Sequence, residues 1–448
     1  MNDQLIVDYK SFLNTGKTER ECVRSIIALA ERHGFKNALS CTALTAGDRV
    51  YVQLMDKTIA LFMIGTGAFE DGMNILGAHI DSPRLDIKQN PLYEKDCIAY
   101  LNTHYYGGIK KYQWVTIPLA IHGVICKTDG TTVHVVIGED EDDAVLTISD
   151  ILPHLAQEQM KKNAAEFIHG EDLDVIVGST APKKTAASDA EQKDEKDRAK
   201  KAILALLKER YDITEADFSS AELEVVPAGT ARDCGIDRSC VLAYGQDDRV
   251  CAYTSVRALV EADGGTRTQC CLCVDKEEIG SVGATGMGSR FFENAVAEIL
   301  VRLGGQYSDI ALRRALANSF MLSSDVNAAY DPLNASLYDK DNASFLGGGL
   351  VFNKYTGSRG KYSASDANPE FIARLRAVMD AHGVRYQMAE LGKVDQGGGG
   401  TIAYLAAKYG MNVIDAGISV LSMHAPWELT SKADIEEAYN GYRAFLTL

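Results

Sequence analysis

No basic run of the kind that nucleic-acid binders use occurs anywhere in this 448-residue chain. Lysine and arginine total 46 against 62 aspartates and glutamates, a formal net charge of −16. A surface so acidic repels nucleic acid and anionic membranes alike. Cysteine is present ten times, but the paired Cys-x-x-Cys knuckles that a zinc ribbon needs do not occur, and the spacing makes no disulfide ladder. No apolar run approaches the ~20 residues that span a bilayer. The opening MNDQLIVDYK lacks a basic region followed by an apolar stretch, so no signal peptide is expected. Cysteine usage of this kind fits a reducing cytosol, and the expected location is the cytoplasm. The glycine runs at 347–349 and 397–400 lack the Gly-x-Gly-x-x-Gly pattern and no P-loop lysine follows them. They read instead as turns that let backbone approach a substrate or metal closely.

What is present is ordinary globular material: 46% hydrophobic and 24% charged residues. A prior of ~150 residues per domain suggests two or three units. Residues 1–40 carry apolar side chains at helical spacing (Leu5, Tyr9, Phe12, then Cys22, Ile26, Leu29). Strand-like runs follow at 49–55, 58–64 and 73–80. From about Cys97 short runs such as 115–122 and 132–137 alternate with turns and read as a small β-rich region. Residues 181–201 are polar and highly charged, as expected of a mobile surface loop with some capacity for helix. A helix at 202–211 and a strand at 222–227 come next. From about Gly245 helix and strand alternate again: helices at 250–261, 290–303, 369–382, 401–409 and 431–446, strands at 269–274, 319–323, 385–390 and 412–418. Cys270, Cys271 and Cys273 lie in one of these apolar runs, where a thiol packs as a small hydrophobe. The pattern is an α/β domain, 1–90 and 236–448, interrupted by an insertion at 91–235.

Five short clusters carry metal-type side chains: His79 with Asp81, Asp247 with Asp248, Glu277 with Glu278, Asp325, and His424. All but the second follow an apolar run, so strand ends can aim them at one place. Singly each has a plainer reading: a surface pair, a helix cap, a solvated helix face. Together, two imidazoles and three carboxylates (His79, Asp247, Glu278, Asp325, His424) suit zinc, or cobalt or manganese, better than calcium. Three carboxylates and two divalent ions leave a charge that one hydroxide cancels, and that hydroxide is the nucleophile such a site makes. Asp247 is the candidate for the carboxylate shared by both ions. Asp81 is placed to orient the His79 ring, and Glu277 to take a proton from the bound water.

The stretches GAHIDSPRLDIK (77–88), IPLAIHG (117–123), GQDDRV (245–250), DKEEIGSVGATG (275–286), SSDVNAAYDP (323–332), KYTGSRGKYSASDAN (354–368), DQGGGGTIA (395–403) and ISVLSMHAPWE (418–428) run over most of the chain. In this order they resemble the aspartyl aminopeptidase family of dizinc exopeptidases. The resemblance implies a mixed central sheet flanked by helices, with a β-rich dimerisation domain inserted. It implies His79 and Asp325 on the first metal, Glu278 and His424 on the second, Asp247 bridging, Asp81 orienting His79, and Glu277 as general base. It implies a cis peptide between Asp247 and Asp248; the family often has Asp-Asn at this pair. It also implies that His122 reaches a partner subunit's site to hold the substrate carbonyl, and that six dimers form a dodecamer. Lys354 and Tyr362 fall in a substrate-contacting region, where a lysine could pair with an acidic first residue. The expected activity is release of N-terminal amino acids from peptides. A related dizinc amidohydrolase and a catalytically silent assembly protein are the competing readings. An aminoacyl-anilide assayed beside an N-acyl amino acid, and metal analysis, separate the three.

Overall fold

Two helices open the chain, Asp3–Thr15 and Glu19–Arg32, in a computed structural model that describes residues 3–181, 197–304 and 307–448. The second starts where it does because Thr18 and Glu21 cap each other: Thr18 Oγ1 accepts from Glu21 N at 3.3 Å, and the Glu21 carboxylate accepts from Thr18 N at 3.0 Å. The described residues fall into two units. The first comprises Met1–Ser82, Ala231–Met423 and Trp427–Leu448; the second comprises Pro83–Thr230 with His424–Pro426.

In the first unit a nine-stranded mixed sheet runs in the order Lys36–Asn37, Arg49–Leu54, Thr58–Met63, Thr268–Val274, Met73–His79, Phe320–Ser323, Asn412–Gly417, Leu350–Asn353, Tyr386–Met388. Its centre is parallel: Thr268–Val274, Met73–His79, Phe320–Ser323 and Asn412–Gly417 all point the same way. Successive side chains alternate faces. Leu76, Ala78, Cys271, Cys273, Leu322 and Ile414 pack beneath helices Asp3–Thr15, Glu19–Arg32, Gln246–Val260, Pro369–Ala381 and Lys432–Leu446. Ile75, Cys270, Leu272, Met321 and Val413 pack beneath Phe291–Arg302, Asp309–Ala317 and Ala403–Ala407. Central strands buried on both faces are what parallel sheets require, and they explain why these runs are continuously apolar. The architecture is the α/β class, with helices on both faces of a mixed sheet, that the sequence leads one to expect. A smaller five-stranded sheet in this unit includes Cys240–Ala243 beside Glu428–Ser431.

The second unit is built on a six-stranded antiparallel sheet in the order Thr132–Ile137, Leu119–Cys126, Ala221–Pro227, Arg84–Lys95, Ile98–Tyr106, Val175–Ser179. Gly123 is obligatory there: its φ is +143°, and a Cβ would lie 2.0 Å from Glu222 O. Of the charged segment expected to be a loop at 181–201, residues 182–196 lie outside the described residues. Residues 198–201 are not loop but the first turn of helix Arg198–Tyr211. Among the described residues, no helix is long and apolar enough to cross a membrane.

Candidate metal centre

Open parallel sheets place their sites beyond the carboxyl ends of the strands, and three neighbouring strand ends do so here. His79 is the last residue of Met73–His79 and is 2% exposed. Its parallel neighbour ends at Val274, directly opposite His79 in register, and leads through left-handed Lys276 (φ +70°) into the short turn Glu277–Ile279. On the other side Phe320–Ser323 ends two residues before Asp325. The fourth contributor is not a strand. Helix Gln246–Val260 begins after left-handed Gly245 (φ +68°), and the Asp247–Asp248 peptide is cis, as the resemblance implies. Glycine at 245 is required because a Cβ would meet the Arg249 guanidinium at 1.7 Å.

These elements bring the side chains together. His79 Nε2 lies 3.1 Å from Asp247 Oδ1 and 4.0 Å from Asp325 Oδ1. On the far side of the ring, Nδ1 lies 3.3 Å from Asp81 Oδ1 and 3.1 Å from the Asp81 carbonyl. Asp81 is fully buried, and its carboxylate also accepts the main-chain N–H groups of Glu277 (3.1 Å) and Glu278 (3.2 Å). One carboxylate thus fixes the His79 ring and the turn that carries both glutamates. Asp247 is held through its own main chain: its N–H donates to Glu428 Oε2 at 3.0 Å, and its carbonyl accepts from Ser82 Oγ at 2.6 Å. Asp325 depends on a close approach, since a Cβ on Gly417 would sit 1.7 Å from the Asp325 carbonyl oxygen.

The electrostatics are those of crowded acids. Burial pushes the Asp325 carboxyl well above the carboxylate range, opposed by His79 and reinforced by Glu277 and Asp247. Burial, then the field of Asp325, does the same to Asp248. Burial would lower the His79 imidazole, but hydrogen bonding to Asp247 and Asp81 and the field of Asp325 outweigh it and raise it well above its usual value. Asp275, at the start of the Glu277 turn, is pushed up to about 6, first by burial and then by Glu19 and Asp81.

Such a set fits a divalent cation. His79, Asp247 and Glu278 offer donor atoms all within 4.8 Å of one another, and so do His79, Asp248 and Asp325. Asp248 is fully buried, yet neither of its carboxylate oxygens takes a hydrogen bond from an N–H or O–H group. Acids desolvated this way call for positive charge. Imidazole with carboxylates is the donor chemistry of zinc, cobalt and manganese rather than calcium.

Each remaining candidate has its own local setting. His424 belongs with the second unit; it is left-handed (φ +64°) and half-buried, with Nδ1 2.9 Å from Gly108 O. That contact fixes the ring so that Nε2 is the nitrogen with a lone pair to offer. His122 is buried in the strand Leu119–Cys126, with Nε2 3.0 Å from Glu139 Oε1. Lys354 and Tyr362 are exposed; Tyr362 closes a small turn with Ser358 by reciprocal main-chain bonds. Sequence reading passed over Glu428 and Ser82, whose partners are main-chain atoms of a residue far away in the chain.

Comparison with known proteins agrees with this chemistry. The family model described as "Aminopeptidase I zinc metalloprotease (M18)" matches residues 12–446. A probable M18 family aminopeptidase 1 from Clostridium acetobutylicum is 57% identical over 98% of this chain and 93% of its own length. The crystal structure of an M18 family aminopeptidase from Thermotoga maritima superposes with a TM-score of 0.94 at 44% identity, covering 100% of this chain and 97% of that one. The structure of aminopeptidase I from C. acetobutylicum gives 0.89 at 55% identity, covering 98% and 94%. The S. cerevisiae mApe1 dodecamer, at 21% identity and a TM-score of 0.76 over 98% of this chain and 95% of that one, shares the fold. With a family model spanning nearly the whole chain and relatives this similar over their full length, the chain belongs to the M18 family and is a zinc metallo-aminopeptidase.

Proposed function

We propose that this enzyme releases N-terminal amino acids from peptides at a centre of two divalent ions, zinc by preference, held by His79, Asp247, Glu278, Asp325 and His424. The observation that carries this reading is the convergence of His79, Asp247, Asp325 and Glu278 beyond three parallel strand ends and one helix start. When bound, the ions would polarise the scissile carbonyl, anchor the free α-amine and acidify the attacking water. Asp247 lies closest to the His79 imidazole and is the carboxylate both ions would share. Asp81 keeps the His79 ring in the tautomer whose Nε2 faces the ions. Glu277 takes the proton from the attacking water and passes it to the leaving amine; its main chain is fixed by Asp81 while its side chain stays half-exposed to the site. Asp81 and Glu277 thereby divide the work of two neighbouring acids.

In the same reading, residues 91–235 form a dimerisation domain, and His122 completes the pocket of a neighbouring subunit by holding the substrate carbonyl. Dimers assemble further, to a dodecamer of the kind known for mApe1. Lys354 and Tyr362 contact the substrate, Lys354 through an acidic first side chain. The expected location is the cytoplasm. The deciding experiment is Glu277→Gln: metal content should stay at the wild-type value while turnover of an aminoacyl-anilide falls about 10²–10⁴-fold. Equal turnover of variant and wild type would remove Glu277 from its role.

A further inference from the structure

Glu428 opens the strand Glu428–Ser431, opposite Ala243 in Cys240–Ala243, and is 1% exposed. A carboxylate so deeply placed is kept only where strong donors meet it. One donor that meets Glu428 Oε2 is the Asp247 main-chain N–H, at 3.0 Å. Asp247 is itself non-helical (φ −78°, ψ 107°), as is Asp248 after it, so it stands ahead of the regular turns of the helix. Glu428 therefore supplies an acceptor for that N–H from a strand 181 residues further along.

The surrounding contacts all act on the same short segment. Gln246 Nε2 donates to the Glu428 carbonyl at 2.6 Å, and Gln246 Oε1 accepts from the fully buried Tyr9 hydroxyl at 3.0 Å. The Asp247 carbonyl accepts from Ser82 Oγ at 2.6 Å. Asp247 is thus gripped at its N–H by Glu428 and at its carbonyl by Ser82, with its side chain left to face His79 Nε2 at 3.1 Å.

We propose that Glu428 is a positioning residue of the metal centre: by holding the Asp247 N–H it sets the direction in which the Asp247 carboxylate is presented. The proposal rests on Asp247 being a metal ligand. Its removal leaves a buried N–H without an acceptor and the Asp247 peptide free to turn, so the carboxylate is lost to the ions without being deleted.

The test is zinc affinity of the full-length protein, stripped and then titrated in competition with a chromophoric chelator. Glu428→Leu should weaken zinc binding about 10–100-fold, the range seen when groups behind metal ligands are removed. Glu428→Gln keeps an oxygen for the same N–H and should restore affinity to within about threefold. Wild-type affinity in Glu428→Leu overturns the proposal. So does a lowered melting temperature of the zinc-free protein with affinity unchanged, because that is what a purely structural role gives. Should Glu428→Leu not fold, Glu428→Asp carries the test: it keeps the charge but draws the acceptor back by one methylene, and should weaken zinc binding likewise; wild-type affinity there overturns the proposal. Asp247→Asn is run beside them. If it binds zinc like the wild type, the ligand assignment of Asp247 fails; if it loses zinc while Glu428→Leu does not, only the role of Glu428 fails.

Discussion

Gly417→Ala adds one methyl group far from any reacting atom and should nonetheless disable the centre. The glycine ends the strand Asn412–Gly417, and its missing side chain is the space through which the Asp325 main chain passes. A Cβ there would lie 1.7 Å from Asp325 O and 2.4 Å from Asp325 C, where ordinary contact begins at 3.4 Å. The shortfall is about 1.7 Å, and the atoms in the way are backbone, which cannot rotate aside as a side chain would. Either the strand or Asp325 must move by more than an ångström. Asp325 Oδ1 stands 4.0 Å from His79 Nε2, and a metal ligand tolerates only a few tenths of an ångström. Overpacking of this kind costs about 1–3 kcal/mol of stability, and a displacement near 1 Å costs about 10²-fold in turnover. The assays are chelator-competition zinc affinity, kcat on an aminoacyl-anilide, and urea denaturation of the zinc-free protein. Zinc affinity and kcat both within about twofold of wild type would refute the reasoning, since Asp325 would then have absorbed the methyl group without leaving its place or would not need that place.

Other outcomes follow from contacts already described. Asp81→Asn places an NH2 group where donors face the residue (His79 Nδ1–H and the Glu277 and Glu278 N–H groups), so zinc affinity should drop about 10–100-fold; an unchanged titration curve would contradict it. Asp434 is pushed up to about 6, chiefly by burial and against the hydrogen bonds from Gly347 and Gly349 N–H. The folded state therefore holds that proton more tightly than the unfolded chain, whose value is near 3.8. The contribution of Asp434 to stability thus falls as pH rises from about 4 to about 6, by about 3 kcal/mol, and is level above. Urea midpoints of wild type and Asp434→Asn should diverge over that window to the wild type's disadvantage, and a pH-independent gap would be inconsistent. Removing zinc with a chelator should lower stability by the linkage term, about 2.7 kcal/mol at a hundredfold excess of ion over its dissociation constant, and the melting temperature with it; calorimetry with and without zinc measures it, and an unchanged melting temperature would contradict it. Lys354→Met lies on the exposed surface and should leave stability within about 0.5 kcal/mol, while raising KM for substrates with an acidic first residue relative to neutral ones; an unchanged KM ratio would exclude the contact.

The strands Met73–His79, Thr268–Val274 and Phe320–Ser323 were legible because burial on both faces makes them unbroken apolar runs, and each ends abruptly in acids or histidine. The metal-type residues at those ends were visible for the same reason. Asp247 carries no such signal. It stands at a helix start after a left-handed glycine, where an acid is ordinarily a cap, so it is singled out by the chemistry of the whole donor set and by the resemblance rather than by its own surroundings. The hairpin Arg84–Lys95 and Ile98–Tyr106 escaped reading. Gln89 and Asn90 point outward at a register shift between Ile87 and Leu92, and Pro91 sits between, so the alternation that marks a strand is broken in the middle. Helix Asp309–Ala317 was missed because nine residues give the helical period little room to declare itself. The first turn of Arg198–Tyr211 reads by composition as loop with some capacity for helix, because its lysines and arginine look like the charged stretch before it. Glu428 was invisible in a stricter sense: its partner is a main-chain N–H, which every residue has and no sequence pattern reveals.

Strands Thr58–Met63 and Met73–His79 are neighbours in the chain but not in the sheet, where Thr268–Val274 lies between them. During synthesis at about 5–20 residues per second, the two early strands leave the ribosome roughly 10–40 s before the strand that joins them. Through that interval both present open edges and apolar faces, the features that invite pairing with another nascent chain. His79 likewise waits for Glu277, Glu278 and Asp325, all encoded after the long intervening segment. The zinc centre is thus a late event in the life of the molecule, and a chain truncated before residue 268 should be insoluble rather than merely inactive.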